Sequence, residues 1–313
     1  MVDSLGDKLK KMIKIAIIIL HFNDRKLTDN CLSSVKKLSV KDFKLETIVV
    51  NNNPKQKIDS LKKGYKDVIF LKTKENIGFT GGNNLGIKKA LENKADFIFL
   101  LNNDTLLSEN LLTELLKVAK GDKQVGILAP KIYFAPGHEF HHDRYQEKER
   151  GKVFWYAGGL FDWQNIIASH RGVDEVDHGQ YDKIIPTDFV SGCGMLIRRE
   201  VFEKTGFFDE RYFLYLEDVD LCQRAKMAGF KILYVPQAVL WHLNAGSSTV
   251  GGFLHDYYLT RNRLLFGFKY APLRTRIALF KESLRLLFAG RLWQKRGVLD
   301  FYFRKFGQGS FKP

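Results

Sequence analysis

Three carboxylates and an arginine share the short span Phe213-Leu-Tyr-Leu-Glu217-Asp218-Val-Asp220-Leu-Cys-Gln-Arg224, and Trp241-His242 follows downstream. A helix beginning near Tyr215 sets Glu217, Asp220, Leu221 and Arg224 on one side, with Asp218, Leu221, Cys222 and Ala225 on an overlapping face. Acids on a half-apolar helix are costly to bury unless they are paired or working. The chemistry open to them is proton transfer; the plainer alternative is a solvated first turn favoured by the helix dipole. A second candidate is Leu100-Leu101-Asn102-Asn103-Asp104, where an aspartate ends an apolar run. Mg²⁺ and Mn²⁺ keep waters and substrate phosphates in their shells, so one or two protein ligands suffice. Asp104 can be such a ligand or a helix N-cap, and His242 can be a second ligand or a packed core histidine. The third is Asn76-Ile-Gly-Phe-Thr-Gly-Gly-Asn-Asn-Leu-Gly-Ile87, whose glycines lack the G-x-G-x-x-G spacing but allow backbone to approach a nucleotide or sugar closely.

These residues need a scaffold that gathers strand ends on one rim. Apolar runs at residues 13–20, 45–50, 68–71, 97–101 and 125–129 read as strands, and residues 28–38, 82–93 and 109–120 read as helices. Strands apolar throughout are covered on both faces, which predicts a Rossmann-like, mostly parallel α/β sheet with helices on each side. Ligands bind such sheets beyond the carboxyl ends of the strands. There the chain turns polar: His21 and Asn23, then Asn51 and Asn53, then Asn76, Gly78, Phe79, Gly82 and Asn83, then Asn102 and Asn103. Residues 136–187 read as a long, partly mobile insertion whose His138, His141 and His142 belong to a solvated loop rather than a metal site. A strand at 190–197 with close-approach glycines, a short helix at 200–205 and a strand at 231–235 ended by Pro236 complete this part.

The chain has 313 residues, 45% hydrophobic and 13% aromatic, which is a globular composition. Its charge of +15 is unevenly spread: from Tyr257 onward there are 13 Lys and Arg against two acids, Glu282 and Asp300. Residues 254–313 therefore read as a basic, aromatic, helical C-terminal region following a domain over 1–253. Within it Leu273, Ile277, Phe280, Leu284, Phe288 and Leu292 form an apolar stripe beside Arg274, Lys281 and Arg285, the pattern of a helix lying on an anionic membrane. Cys31, Cys193 and Cys222 form no disulfide or metal pattern, so reduced buried thiols and a cytoplasmic address are expected. The run Lys8-Leu-Lys-Lys-Met-Ile-Lys14 before Ile15 imitates a signal peptide, but a buried first strand fits better because no small-residue cleavage site follows.

Together, Ile48-Val-Val-Asn-Asn-Asn, the Asn76 to Ile87 segment, Leu-Leu-Asn-Asn-Asp-Thr105, and the span from Gly192 through Glu217-Asp218 to Arg224 resemble family 2 glycosyltransferases, in particular the rhamnosyltransferase-like subgroup. The resemblance runs from about Ile13 to Thr249. It implies a GT-A fold, a nucleoside-diphosphate sugar donor of thymidine or uridine type, an inverting transfer and a divalent metal, Mg²⁺ or Mn²⁺. By position, Asp218 resembles the catalytic base, with Glu217 and Arg224 expected to orient it. Asp104 resembles the last acid of a metal-binding D-x-D element, and His242, in Trp-His-x-x-Ala-Gly-Ser247, the metal or diphosphate contact. Asn51 stands where relatives commonly carry an aspartate that reads the nucleobase. His21, Asn23, Asn51, Asn53, Asn76, Gly78, Phe79, Gly82, Asn83, Asn102 and Asn103 are the expected donor side; Gly192, Cys193, Gly194 and Arg224 the acceptor side. The expected acceptor is a glycan or lipid-linked glycan, with no nucleic-acid partner. Metal-dependent nucleotidyl transfer and a non-catalytic nucleic-acid- or sugar-binding role are the alternatives.

Overall fold

The computed structural model describes residues 12–244 and 251–312. In chain order the elements are β1 (Ile13–His21), α1 (Arg25–Val35), β2 (Phe43–Asn51), α2 (Asp59–Gly64), β3 (Val68–Lys72), α3 (Gly78–Glu92), β4 (Phe97–Asn102), β5 (Thr105–Leu107), α4 (Leu111–Gly121) and β6 (Val125–Phe134). Then come β7 (Phe154–Tyr156), β8 (Gly159–Asp162), β9 (Ile167–His170), β10 (Ile185–Pro186), β11 (Gly194–Arg198), α5 (Arg199–Thr205), α6 (Glu217–Met227) and β12 (Lys231–His242). Three helices follow, α7 (Phe253–Tyr270), α8 (Leu273–Ala289) and α9 (Leu292–Tyr302).

Among the described residues the main sheet runs β10-β12-β6-β11-β4-β1-β2-β3, with β5 on β12 and β7 on β6. Pairs β3-β2, β2-β1, β1-β4 and β6-β12 are parallel, whereas β11 is antiparallel to both β4 and β6. The apolar runs are continuous because both faces are covered: Ile15 to Ile19 and Ile98 to Leu100 are all fully buried. This confirms the mostly parallel α/β architecture and the buried first strand. Lys8, Lys10 and Lys11 and the Ala245 to Ser247 end of the tryptophan–histidine motif lie outside the described residues.

Two expectations fail for physical reasons. Pro236 does not end its strand: β12 continues to His242, and the register on β6 slips from Val235 opposite Pro130 to Val239 opposite Lys131. The slip places proline, which has no N–H to donate, in a bulge instead of a ladder. The 136–187 insertion is a built part of the molecule. Its β7 extends the main sheet, β8 and β9 make a hairpin, and Phe154 and Tyr156 are fully buried. Lys131 Nζ binds the insertion through Asp177 and Asp182, both at 2.6 Å.

The helix α3 lies close on the sheet because two of its positions have no side chain. A Cβ on Gly86 would stand 2.5 Å from Ile18 and 3.2 Å from Val50. Alanine would favour the helix by about 1 kcal/mol, but forcing an extra methyl into a packed interface costs about 1–3 kcal/mol. Gly86→Ala should therefore lose stability overall, read as a lower urea midpoint at unchanged m-value; an unchanged or higher midpoint would mean that α3 can lift off the sheet freely.

Candidate active site

Asparagines build the rim at the ends of β1, β2 and β4, and most of them bind one another. Asn51 is buried, its amide donating to Gln56 O at 3.1 Å while its oxygen accepts from Asn53 N at 3.1 Å, so it shapes its own loop. Asn53 donates outward to Asn23 Oδ1 at 2.9 Å. Asn52, which escapes the sequence reading, organises the neighbouring loop. Its amide donates to Asn76 Oδ1 (3.1 Å) and Gly78 O (2.9 Å), and its oxygen accepts from Ile77 N (3.1 Å). Side-chain alternation along a strand end is the signal that separates Asn52 from Asn51 and Asn53. His21 is fully buried, with Nδ1 2.7 Å from Thr28 Oγ1, which also accepts from Asn103 at 2.9 Å. Burial lowers the His21 pKa, against a smaller upward pull from Asp24.

The glycines of this loop serve packing as well as any ligand. Gly78 has φ +74°, and a Cβ there would meet Phe213 O at 2.5 Å; Phe79 N donates to that same carbonyl at 2.8 Å. Gly82 faces Leu20 of the sheet, so its missing side chain admits β1 rather than a nucleotide. Asn83 is buried and donates to Phe79 O at 2.9 Å. Asn84, also unforeseen, accepts from Phe208 N (3.0 Å) and donates to Phe208 O (2.9 Å), tying α3 to the segment before the acidic helix.

That helix, α6, starts at Glu217, with Asp218 and Asp220 also in its first turn, where the helix dipole favours negative charge. Asp218 Oδ2 accepts from Gly192 N at 3.1 Å and its Oδ1 from Val219 N at 2.8 Å. Glu217 is buried, and its Oε2 has no hydrogen-bond partner among the described residues. Burial pushes Glu217 well above the ordinary carboxylate range, and the adjacent Asp218 adds to this. Burial also raises Asp218, while the Gly192 and Val219 N–H groups pull it back. The two carboxyls thus sit in unlike settings: Glu217 is buried with Oε2 unpartnered among the described residues, whereas Asp218 is half-buried and served by two N–H donors.

Arg224 belongs elsewhere. It pairs with Asp220 at 2.7 Å and donates to the carbonyls of Thr205 (2.8 Å) and Phe207 (2.9 Å), so it neither orients Asp218 nor lines the acceptor side. Asp220 is its natural i, i+4 partner. Gly192 and Cys193 form a turn leading into β11, which begins at Gly194 instead of at 190. Cys193 O accepts from Asn102 N at 3.1 Å, and a Cβ on Gly192 would stand 2.7 Å from the Phe79 ring. The acidic helix, the end of β4 and the Asn76–Asn83 loop thus meet at this turn.

Asp104 and His242 also come together, His242 Nε2 lying 3.2 Å from Asp104 Oδ2. The β5–β12 ladder aligns them by setting His242 opposite Thr105, and Leu243 N donates to Asp104 O at 2.8 Å. The His242 ring packs 4.6 Å from that of Trp155, and its buried Nδ1 has no partner among the described residues. One carboxylate and one imidazole fit a divalent ion such as Mn²⁺ whose remaining ligands come from a diphosphate and water. Among the described residues no group of three or more His, Cys, Asp or Glu is placed to hold a metal ion by itself.

The chain resembles known proteins in sequence and in fold. A 219-residue stretch is 23% identical to a low-salt glycan biosynthesis hexosyltransferase of Haloferax volcanii, covering 70% of this chain and 63% of that protein. Another 193 residues are 28% identical to the N-acetylglucosaminyl-diphospho-decaprenol L-rhamnosyltransferase of Mycobacterium tuberculosis, covering 59% of this chain and 61% of that one. The chain thus spans less than two thirds of either relative. In fold it is similar to GalNAc-T7, crystallised with UDP, GalNAc and Mn²⁺, at TM-score 0.59 and 14% identity over 94% of this chain and 58% of that one. The model of "Glycosyltransferase like family 2" matches residues 13–254. With the sheet, the donor-side loops and the acidic helix all inside that match, the chain belongs to the family 2 glycosyltransferases.

Proposed function

We propose that the protein transfers a sugar from a nucleoside-diphosphate donor to an acceptor hydroxyl with inversion, and that Asp218 is the general base. The observation that carries this is the unlike setting of the two carboxyls of the Glu217–Asp218 pair. Asp218 is the partly accessible carboxylate held by two backbone N–H groups, at a turn one residue from the Cys193–Asn102 hydrogen bond that leads to Asp104. In an inverting transfer the acceptor hydroxyl loses its proton as it attacks the anomeric carbon opposite the departing diphosphate. Asp218 Oδ would take that proton, while the asparagine-built loops seat the donor. Burial, and after it the neighbouring Asp218, works against a second negative charge on Glu217. Asp104 and His242 would hold Mg²⁺ or Mn²⁺, which when bound acts as a Lewis acid on the leaving diphosphate. The name of the rhamnosyltransferase relative supports rhamnose as the sugar and a lipid-linked glycan as the acceptor; the thymidine- or uridine-type carrier rests on the family resemblance alone.

A lipid-linked acceptor gives the C-terminal helices a role. On α8 the buried face is Thr275, Leu279 and Ser283, whereas Leu273 is 72% exposed and Phe288 83%, with Ile277, Phe280 and Leu284 exposed between them. Arg274, Lys281 and Arg285 are exposed on the flank of that apolar arc, and Arg263, Lys281 and Arg285 line an open groove of about 730 Å³ beside it. Among the described residues no helix is long and apolar enough to cross a membrane. An apolar arc edged with cations matches an anionic bilayer surface.

Three outcomes test this reading. Asp218→Asn should keep donor binding and lower transfer at least ~10²-fold, and the wild-type rate should fall on the acid side at a pH above the ordinary carboxylate range, because the base works only when deprotonated and its pKa is raised. Near-normal turnover in that variant removes Asp218 from the role. Chelation should abolish transfer, and Asp104→Ala should raise the Mn²⁺ concentration needed for half-maximal rate; full activity in chelator would exclude the metal. Finally, wild type should co-sediment with phosphatidylglycerol vesicles but not with phosphatidylcholine, and Arg274→Glu with Lys281→Glu and Arg285→Glu should release it while transfer to a soluble acceptor analogue continues. Wild type that ignores both kinds of vesicle overturns the membrane assignment.

A further inference from the structure

The loop that delivers Glu217 and Asp218 is held in a conformation that its own sequence disfavours. Phe213, Tyr215 and Leu216 have φ of 66°, 71° and 68°, a left-handed region that non-glycine residues seldom occupy without outside support. The support comes from α7, which lies beyond the acidic helix and after the matched family region ends at residue 254. Asn262, fully buried, donates its amide to the carbonyls of Tyr212 (2.9 Å), Leu214 (2.7 Å) and Tyr215 (2.9 Å). Arg261, also fully buried, forks onto Arg211 O (3.0 Å) and Tyr212 O (2.9 Å) and reaches Gly307 O at 2.7 Å. The Tyr258 ring stacks on Phe213, centroids 5.1 Å apart and planes 12° apart. Farther along α7, Lys269 Nζ and the Tyr270 hydroxyl bind Asp220 at 2.7 and 2.8 Å, gripping the first turn of α6. On its other side the same loop meets the donor rim, where Phe213 O accepts from Phe79 N (2.8 Å) and Thr80 N (3.3 Å).

We infer that Asn262, assisted by Arg261, is a positioning residue for transfer: by capping the carbonyls of Tyr212, Leu214 and Tyr215 it keeps the left-handed loop in place and so sets Asp218 against the Gly192 N–H. The inference rests on Asp218 being the base. A carbonyl-rich loop needs N–H donors: the Asn262 amide gives its N–H groups to this loop, and Arg261 adds two more while its Nε donates to Asn262 Oδ1 at 3.0 Å. Buried carbonyls left without donors would draw in water and let the loop relax toward ordinary backbone angles. Asp218 would then move relative to the acceptor and gain solvent.

Asn262→Asp tests this with little change of volume, because a carboxylate cannot donate to those carbonyls. Transfer kcat should fall roughly 10- to 100-fold, the scale of misplacing a reacting group, with donor KM held. The acid limb of the kcat–pH profile should move to lower pH as Asp218 hydrates. If Asn262→Asp does not fold, Arg261→Lys, which keeps the charge but loses the fork, is measured in the same way. A merely structural role would lower the folded fraction and leave the limb where it is. A wild-type rate, or a loss matched by the loss of folded protein with an unmoved limb, overturns the positioning role. Asp218→Asn run in parallel separates the two levels: an active Asp218→Asn enzyme overturns base and positioning together, whereas an inactive one beside a normal Asn262→Asp enzyme overturns positioning alone.

Discussion

The hydrogen bond from Gly192 N–H to Asp218 is the contact on which the rest of the site depends. It joins a turn entering the antiparallel strand β11 to the first turn of α6, two pieces with no covalent reason to meet. Parallel strands alone would send every connection back over the sheet face. Reversing one strand between β4 and β6 places its leading turn, Gly192-Cys193, at the carboxyl end of β4, where Asn102 binds it. The polar rim and the acid helix share an edge for that reason.

Charge placement follows from the same contact. Two adjacent carboxyls at one helix start cannot both ionise cheaply when buried, and the environment decides which one does. Burial works against ionising either one; two backbone N–H groups offset it at Asp218, whereas Glu217 Oε2 has no partner among the described residues, a difference that a side-chain comparison would not reveal. Asp220, two residues along in the same turn, is fully buried yet answered by Arg224, Lys269, Tyr212 and Tyr270, which makes it a fastening point rather than a reactive group.

The sheet was legible from sequence because strands buried on both faces leave unbroken apolar runs, and Asp104 with His242 was legible because both follow such runs. The insertion was not: its strands β7 to β10 are two to four residues long, too short for periodicity to register. Arg224 was assigned to Asp218 although helical spacing favours Asp220, four positions away. Asn52 is hidden between two identical neighbours, Asn51 and Asn53. Asn262 and Arg261 were invisible for another reason: their partners are main-chain carbonyls, which leave no trace in composition, and the surrounding stretch was read through its charges.

The slip in β12 separates two tasks within one strand. Residues Lys231 to Val235 are keyed to the core of β6, while Val239 to His242 are keyed to β5 and the end of β6, and the bulge around Pro236 lets each half keep its own phase. Because neighbouring side chains in a strand point to opposite faces, phase decides whether the histidine meets Asp104 or turns away from it. The molecule therefore has a tuning joint: length changes at the bulge would re-aim the histidine while leaving the inner half of the strand, and the fold it anchors, as they are.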